Sequence, residues 1–425
     1  MSSTQPPPED ALPASGGPRA ASEHWASHQP NVTGRGIIAG YSARFWLLVV
    51  GLGLGTGVAG SLLMGLLHLV EHASWDYRSG TFLNAARATP GWRHLAILIG
   101  AAGVVGVGVL ILQRLPASGA AEVSESLWMR GARLALLPSL ARGAISIVTV
   151  GMGVSLGREA APQLAGAATA SRISDWAQLP LWQRRLLVAS GAGAGMAAVY
   201  NVPLGGALFA LEVLLGTLAL PLVLPAIVTS VIATSIAWIT LGTHPTYAVP
   251  NYDVSASQLV WAALMGPLAG LLAVAWVRLI ARAYALRPQR HGRFAAPLVV
   301  FLVLGLVSIP YPQLLGNGLD IVQLASVGGV SIGLLAILLA LKPVATAACL
   351  GSGCPGGLFT PTLTVGVLFA GVTGIAWSHI WPGAAPGSYA LIGGGAFLAA
   401  AMQGPLAAVV LILELTRHTD ALMVP

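Results

Sequence analysis

Long apolar segments separated by short polar or basic stretches make up most of the chain after residue 36. An α-helix needs about 20 apolar residues to cross the hydrocarbon core of a bilayer. Segments that reach or approach this length cover residues 45–70, 94–113, 135–156, 219–241, 256–277, 295–309 and 331–350. We predict that these segments are membrane helices.

A second group of apolar segments is shorter, and glycine or proline bounds each of them. These segments cover residues 118–130, 159–171, 203–216, 358–371 and 405–415. Half-helices of this kind are tolerated in a membrane only where protein or water satisfies their open ends. The pattern therefore predicts an all-α polytopic membrane protein of tilted and broken helices.

Composition agrees with this reading. Hydrophobic residues make up 56% of the chain and charged residues 8%, and the mean hydropathy is +0.79. Soluble domains carry about a quarter charged residues, so a chain with so few belongs in a lipid bilayer. Residues 1–36 differ in being polar and rich in proline and serine, and we expect them to form a disordered tail.

The net charge of +7 comes almost entirely from arginines between apolar segments. This placement is typical of loop residues that set membrane topology, and it argues against a nucleic-acid partner. The densest group lies in the interval 278–293 and comprises Arg278, Arg282, Arg287, Arg290 and Arg293. We expect this interval to be a large basic loop on the cytoplasmic side of the plasma membrane.

The sequence gives little sign of an enzyme or a metal site. It contains no H-E-x-x-H or phosphate-loop pattern. Cys349 and Cys354 have no histidine or acidic neighbours and form neither a persuasive disulfide nor a metal site. We expect no enzymatic activity, no cofactor and no metal.

The second half of the chain repeats features of the first. The stretch 191-GAGAGMAAVYNVPLGGALFALEV-213 aligns at an offset of 202 with 393-GGGAFLAAAMQGPLAAVVLILEL-415, and 157-GREAAP-162 aligns with 356-GGLFTP-361. We predict two membrane repeats, 37–245 and 246–425. Repeats with interrupted helices at matching positions indicate a transporter-type site between the halves. The residues leave parallel and inverted halves open, and we expect inverted ones.

One adjacent ion pair interrupts a long uncharged stretch. Arg158 and Glu159 are the only charged residues between Arg142 and Arg172. The start of a helix exposes unpaired N–H groups and the positive end of the helix dipole, which together attract an anion. We predict that helix starts near Glu159 and Leu358, each preceded by glycine, converge on a buried anion. The alternative is a simple interfacial loop pair at a helix start.

These motifs resemble those of the CLC family of chloride channels and chloride/proton antiporters. The resemblance runs from about residue 40 to the C-terminus and rests on 118-SGAAE-122, 157-GREAAP-162, 200-YNVPLGGALFALE-212 and 353-GCPGGLFTP-361. It implies chloride and proton as transported ions and a homodimer with one pore in each subunit. It also implies that Glu159 is the gating residue, whose carboxylate occupies an anion position when ionised and swings away when protonated.

The resemblance assigns the anion site residue by residue. The Ser118 hydroxyl and the N–H groups of Leu358 and Phe359 are expected donors, and the expected anion-binding set is Ser118, Gly157, Arg158, Glu159, Gly357, Leu358 and Phe359. Glu212 matches an acidic residue of the family and is a candidate for the proton path. The alternative is that Glu212 is a structural polar partner, because the repeat has Glu414 at the matching position.

Departures from the family pattern affect the expected mechanism. Ala120–Ala121 and Ala160–Ala161 replace Ile-Pro and Gly-Pro and remove no functional side chain. Proton-coupled members usually carry a second glutamate where this chain has Val213, which keeps a passive chloride channel open as an alternative to antiport. Family members also continue through two more helices to a tyrosine that contacts the anion. We therefore expect the sequence to be truncated at Pro425, and a non-transporting relative is a third reading.

Overall fold

The computed structural model describes residues 41–115, 122–289 and 292–417, and within these ranges the secondary structure is helical, apart from one isolated β-bridge. The helices are α1 (Ala43–Trp75), α2 (Phe82–Ala88), α3 (Gly91–Arg114), α4 (Val123–Met129), α5 (Leu136–Gly151), α6 (Ala160–Trp176), α7 (Leu181–Tyr200), α8 (Pro203–Leu208), α9 (Leu220–Leu241), α10 (Ala256–Ala285), α11 (Gly292–Ser308), α12 (Leu319–Ser326), α13 (Ile332–Gly351), α14 (Phe359–Ile380), α15 (Pro386–Met402) and α16 (Pro405–Thr416). A π-helical turn, Phe209–Leu214, extends α8. The predicted all-α polytopic fold class is confirmed.

Six of the described helices are long and apolar enough to cross a membrane. They are α1, α3, α9, α10, α13 and α14. Five of them match predicted spans. The sixth corrects a prediction, because the expected half-helix 358–371 is a 22-residue helix. Glycines near its middle suggested a boundary, but a Cβ on Gly374 would lie 2.4 Å from the Cβ of Tyr389. This glycine allows close packing rather than ending the helix.

Two predicted spans form helices shorter than the roughly 20 residues that a membrane crossing needs. Segment 135–156 forms the 16-residue α5, and segment 295–309 forms the 17-residue α11. Helix α5 ends at Gly151 because the chain turns at Gly153, whose φ is +97°. A Cβ at Gly153 would also lie 2.8 Å from the Trp75 ring. The residues after this turn lead directly into the buried β-bridge.

The expected basic loop 278–293 is partly helical. Helix α10 continues to Ala285, so Arg278 and Arg282 lie on its last turns. Only a short connection follows before α11, and Arg290 lies outside the described residues. Arg287 lies over the Tyr284 ring at 3.7 Å from its centroid. Helix-forming arginines can flank a span without ending the helix, which is why charge alone placed the boundary too early.

The hydropathy pattern did not predict helices α7 and α15. The second half of α7 reads GAGAGMAAVY, and all ten of these residues are buried in protein rather than facing lipid. A Cβ on Gly166 of α6 would lie 2.0 Å from the Gly191 carbonyl oxygen of α7. Small residues allow this close approach. They also weaken the hydropathy signal.

The halves contact each other reciprocally through two glutamates. Glu212 accepts hydrogen bonds from the N–H groups of Leu406 (3.2 Å) and Ala407 (2.6 Å) at the start of α16. Glu414 accepts from Leu204 (3.0 Å) and Gly205 (2.7 Å) at the start of α8. The π-helical turn that extends α8 therefore lies beside the N-terminus of α16, and the C-terminal end of α16 lies beside the N-terminus of α8. The two matching helices run antiparallel. Reciprocal contacts of this kind are what a two-fold relation produces.

Two predictions concern residues outside the described ranges. The N-terminal tail 1–36 lies wholly outside them, and so do residues 118–121 of the expected half-helix 118–130. The remaining residues of that segment form α4, which begins at Val123. The division into repeats 37–245 and 246–425 stays a prediction.

Candidate functional site

Two breaks in the chain are joined by a pair of backbone hydrogen bonds. The Gly157 N–H donates to the Gly357 carbonyl oxygen at 2.7 Å, and the Gly357 N–H donates to the Gly157 carbonyl oxygen at 2.8 Å. The sequence alignment paired Gly157 with Gly356, whereas its physical partner is Gly357. This antiparallel bridge brings the start of α6 next to the start of α14.

The Glu159 side chain occupies the space between these helix starts. Glu159 is the residue before α6, and it is 2% exposed. Its Oε1 accepts a hydrogen bond from the Phe359 N–H at 2.6 Å, and its Oε2 accepts one from the Tyr200 hydroxyl at 2.8 Å. Phe359 is the first residue of α14, whose N-terminus carries the positive end of the helix dipole. The carboxylate therefore sits where such a helix start binds an anion.

The two bridge glycines make room for that carboxylate. A Cβ on Gly157 would lie 2.2 Å from Oε1 of Glu159, and a Cβ on Gly357 would lie 2.1 Å from the same atom. Any larger residue at either position would compete with the carboxylate for its space. The spacing of glycine before each helix start thus has a steric cause.

Arg158 adds a positive charge beside this carboxylate. Its guanidinium lies over the Tyr200 ring, 5.0 Å from the centroid, and its buried Nε has no hydrogen-bond partner among the described residues. The four salt bridges between described residues do not include Arg158. A guanidinium group that forms no salt bridge among the described residues is available to attract an anion.

A polar cavity of about 390 Å³ adjoins Arg158. Its ionisable and phenolic lining residues are His68, Glu71, His72, Tyr77, Arg158 and Asp320. Asp320 accepts a hydrogen bond from the Leu83 N–H at 2.7 Å. Burial raises the pKa of the Asp320 carboxyl, while this hydrogen bond and the charge of Arg158 oppose the rise. Arg158 thus lies at the wall of a polar cavity.

One buried lysine holds the loop that lines this cavity. Lys342 is 1% exposed, and its Nζ donates to the carbonyl oxygens of Leu314 and Gly316, each at 2.9 Å. Lys342 is the only lysine in the sequence and lies within the apolar segment 331–350. A single lysine in an apolar segment indicates a buried polar contact, and this contact was not predicted from the sequence.

The structure assembles most of the predicted anion-binding residues. Gly157, Arg158, Glu159, Gly357 and Phe359 meet as described above, and Leu358 directly precedes α14. Ser118 lies outside the described residues. Glu212 contacts a different place, the start of α16.

Two hydroxyl groups of the site were missed by the sequence analysis. Tyr200 contacts Glu159, and the Thr360 hydroxyl lies 2.5 Å from the Tyr200 hydroxyl and 3.4 Å from Oε2 of Glu159. Both residues stand inside the quoted motifs, at 200-YNVP-203 and 358-LFTP-361. Only folding shows that these two stretches meet.

Interrupted helices that converge on a buried carboxylate, inside a bundle of membrane-length helices, define a transporter-type membrane protein. Residues 102–425 match the family profile described as voltage gated chloride channel. The chain is 34% identical over 342 residues to a ClcB-like chloride channel protein of Ralstonia nicotianae, covering 78% of this chain and 79% of that one. This protein therefore belongs to the voltage gated chloride channel family.

Two further comparisons agree with this assignment. The H(+)/Cl(−) exchange transporter ClcA of Vibrio cholerae is 29% identical over 398 residues, covering 89% of this chain and 82% of that one. The crystal structure of a slow cyanobacterial Cl−/H+ antiporter superposes with a TM-score of 0.79 at 20% identity, covering 90% of this chain and 92% of that one. This structural likeness shows that the two share a fold.

Proposed function

We propose that the protein exchanges chloride for protons across the membrane and that Glu159 is its gate. The observation that carries this proposal is the position of the Glu159 carboxylate at the N-terminus of α14, where it accepts the Phe359 N–H. A carboxylate held there is a tethered anion, and it competes with chloride for the same donors.

Protonation of Glu159 then couples the two ions. A neutral carboxyl group loses its attraction for the helix N-terminus and for Arg158, so it leaves the position and chloride enters. The proton that displaced the carboxylate travels with it to the other side. Gly157, Arg158, Gly357, Leu358 and Phe359 form the anion site around this position, and Ser118 is proposed as its further hydroxyl donor.

The relatives support the choice of ions. The Vibrio cholerae relative is named for H(+)/Cl(−) exchange, and the cyanobacterial structure is that of a Cl−/H+ antiporter. From the family resemblance we further assign this chain to the plasma membrane as a homodimer with one pore in each subunit. The same resemblance and the Arg278–Arg293 charges assign the basic interval to the cytoplasmic side.

The test is ion flux in vesicles that contain the purified protein. Wild-type protein should drive protons uphill when a chloride gradient is imposed. Glu159→Ala should let chloride pass while proton movement is lost, because no carboxyl group remains to carry the proton. Asp253→Asn, the same loss of a carboxylate at an exposed loop position, is the matched control and should behave as wild type. Proton transport that survives in Glu159→Ala would reject Glu159 as the gate.

A passive chloride channel is the second candidate, and Val213 is the observation that favours it. This position carries an apolar side chain that packs at the start of α16, where a Cβ on Gly404 would lie 2.6 Å from Val213. Sustained chloride flux without proton movement in wild-type protein would select the channel.

Glu212 remains our candidate for the inner proton path. Glu212→Gln keeps an oxygen that accepts hydrogen bonds from α16 but cannot exchange a proton. Loss of proton transport with chloride flux retained would support the path. Unchanged coupling of proton and chloride transport would show that Glu212 only caps the start of α16 and is not part of the proton path.

A further inference from the structure

The Tyr200 hydroxyl is the only side-chain donor within 3.0 Å of the Glu159 carboxylate among the described residues. It lies 2.8 Å from Oε2, while Oε1 is bonded to the Phe359 N–H. Each carboxylate oxygen thus has one close donor, one from a side chain and one from the backbone. The nearest other hydroxyl, that of Thr360, is 3.4 Å from Oε2.

Donor and acceptor rules give this hydroxyl group a direction. An ionised carboxylate only accepts hydrogen bonds, so the single proton of the Tyr200 hydroxyl must point at Oε2. The Thr360 hydroxyl, 2.5 Å away, then donates to the Tyr200 oxygen. The three groups form a chain of donors that runs from Thr360 through Tyr200 to Glu159, and such chains strengthen one another.

Protonation of Glu159 reverses this chain. The new proton on the carboxyl group needs an acceptor, and the Tyr200 oxygen is the nearest one at Oε2, so Tyr200 must turn its own proton toward Thr360. The bond between the two residues is then neutral instead of charge-assisted, and neutral bonds are about half as strong. Tyr200 therefore stabilises the ionised, closed gate more than the protonated one.

The Tyr200 ring is held independently of its hydroxyl. It contacts the Phe359 ring with centroids 5.4 Å apart and carries the Arg158 guanidinium on its face. Its backbone carbonyl oxygen accepts the Thr246 hydroxyl at 2.7 Å, where α7 ends. These contacts fix the hydroxyl in place, and a phenylalanine would preserve them.

We propose that the Tyr200 hydroxyl, supported by Thr360, is a ligand of the anion position shared by the Glu159 carboxylate and the transported anion. When the carboxylate leaves, the Phe359 N–H and the Tyr200 O–H point at the same vacated space. Tyr200 thus positions the gate in its closed state and donates to the anion in the open state. This inference rests on the proposed function, in which Glu159 is the gate.

Several charged and titratable groups surround the site, and they stay the same when the hydroxyl is removed. Arg158 interacts electrostatically with Glu159, His68, Glu71 and Asp320, and Glu159 interacts with Tyr247. A difference in the pH dependence of chloride flux between wild type and Tyr200→Phe is therefore caused by loss of the hydroxyl group and not by these neighbours.

The first measurement is the pH dependence of chloride flux in vesicles that contain the full-length protein. Tyr200→Phe should move the midpoint of flux activation to higher pH by about one unit, because the ionised gate loses a charge-assisted hydrogen bond. Thr360→Val should move it in the same direction by less. Tyr389→Phe removes another buried hydroxyl, bonded to Ser257 at 3.1 Å, and should leave the midpoint unchanged.

The second measurement is chloride binding by calorimetry in the Glu159→Ala background, which requires no transport. Adding Tyr200→Phe should weaken chloride binding about tenfold, the effect of losing one donor to a charged group. An unmoved pH midpoint or an unchanged affinity would overturn the role of Tyr200. Absence of exchange in the wild type would overturn the proposed function instead, and the binding comparison would still decide the role of Tyr200.

Discussion

At the scale of single residues, Gly357 leaves the space that the Glu159 carboxylate occupies. The steric demand is specific, because a Cβ at this position would meet Oε1 at 2.1 Å, and Oε1 is the end of a flexible side chain. The carboxylate would therefore move before the backbone does. Gly357 therefore matters because it leaves space for one conformation of the Glu159 side chain.

This geometry predicts the effect of Gly357→Ala. We expect the methyl group to displace the carboxylate from the Phe359 N–H, so that chloride flux persists while the ratio of protons to chloride falls toward that of Glu159→Ala. Flux of both ions in vesicles measures this ratio.

Gly65→Ala provides the matched control for that substitution. Gly65 lies in α1, and a Cβ there would meet no atom within 4 Å. This variant should keep wild-type coupling, with a stability equal to or slightly above wild type because alanine favours helix. Wild-type coupling in Gly357→Ala would show that the carboxylate does not depend on this position.

At the scale of helices, the ends of α8 and α16 stabilise each other across the two halves. The first N–H groups of a helix have no partner within it. Here the missing partners are carboxylate oxygens from the other half, at 2.6 to 3.2 Å. Negative charge at a helix N-terminus is also favoured by the helix dipole.

Removal of these caps should lower stability in a graded way. We expect Glu212→Ala and Glu414→Ala each to cost about 1–2 kcal/mol of unfolding free energy, the usual effect of losing a capping side chain. Glu212→Gln and Glu414→Gln should cost less, because the amide oxygen still accepts a hydrogen bond. Denaturant unfolding in detergent micelles measures these differences.

The double variant shows whether the two caps are independent. They join different helix ends, so their effects should add to within about 0.5 kcal/mol. Wild-type stability in both alanine variants would mean that water replaces the carboxylates without loss.

At the scale of the whole molecule, the polar cavity and the basic interval lie at opposite ends of α11. Arg293 stands at the start of this helix, and the cavity-lining residues Pro312 to Asp320 follow its end. The 17 residues of α11 span roughly 25 Å at 1.5 Å per residue. The two features are therefore separated by about the length of this helix.

The cavity should therefore open to the outside if the basic interval is cytoplasmic. We expect Asp76→Cys, in the exposed turn next to the cavity-lining Tyr77, to react with a membrane-impermeant thiol reagent in intact cells. Gln289→Cys should react only after permeabilisation. The two native cysteines are buried and give a low background. Labelling in the reverse pattern would invert the assigned topology.

Much of the architecture was readable from residue patterns. Long apolar segments at 45–70, 94–113 and 219–241 correspond to spanning helices because lipid-facing side chains must be apolar along their whole length. Helix starts near Glu159 and Leu358 were correct because glycine precedes each one. Helix α7 was not predicted because its second half is rich in glycine and alanine. This half is buried in protein, where small residues allow close helix packing and high hydropathy is not required.

Residue patterns alone were enough to predict that this chain lies in a membrane, that its helices are interrupted, and that one carboxylate lies at an interruption. Local composition and spacing carry that information. The folded chain was needed to show that Gly157 pairs with Gly357, that Glu159 reaches the start of α14, and that the Tyr200 hydroxyl contacts Glu159. These residues are 41 to 200 positions apart along the chain. Contacts of that range form when antiparallel halves pack together, and no local pattern encodes them.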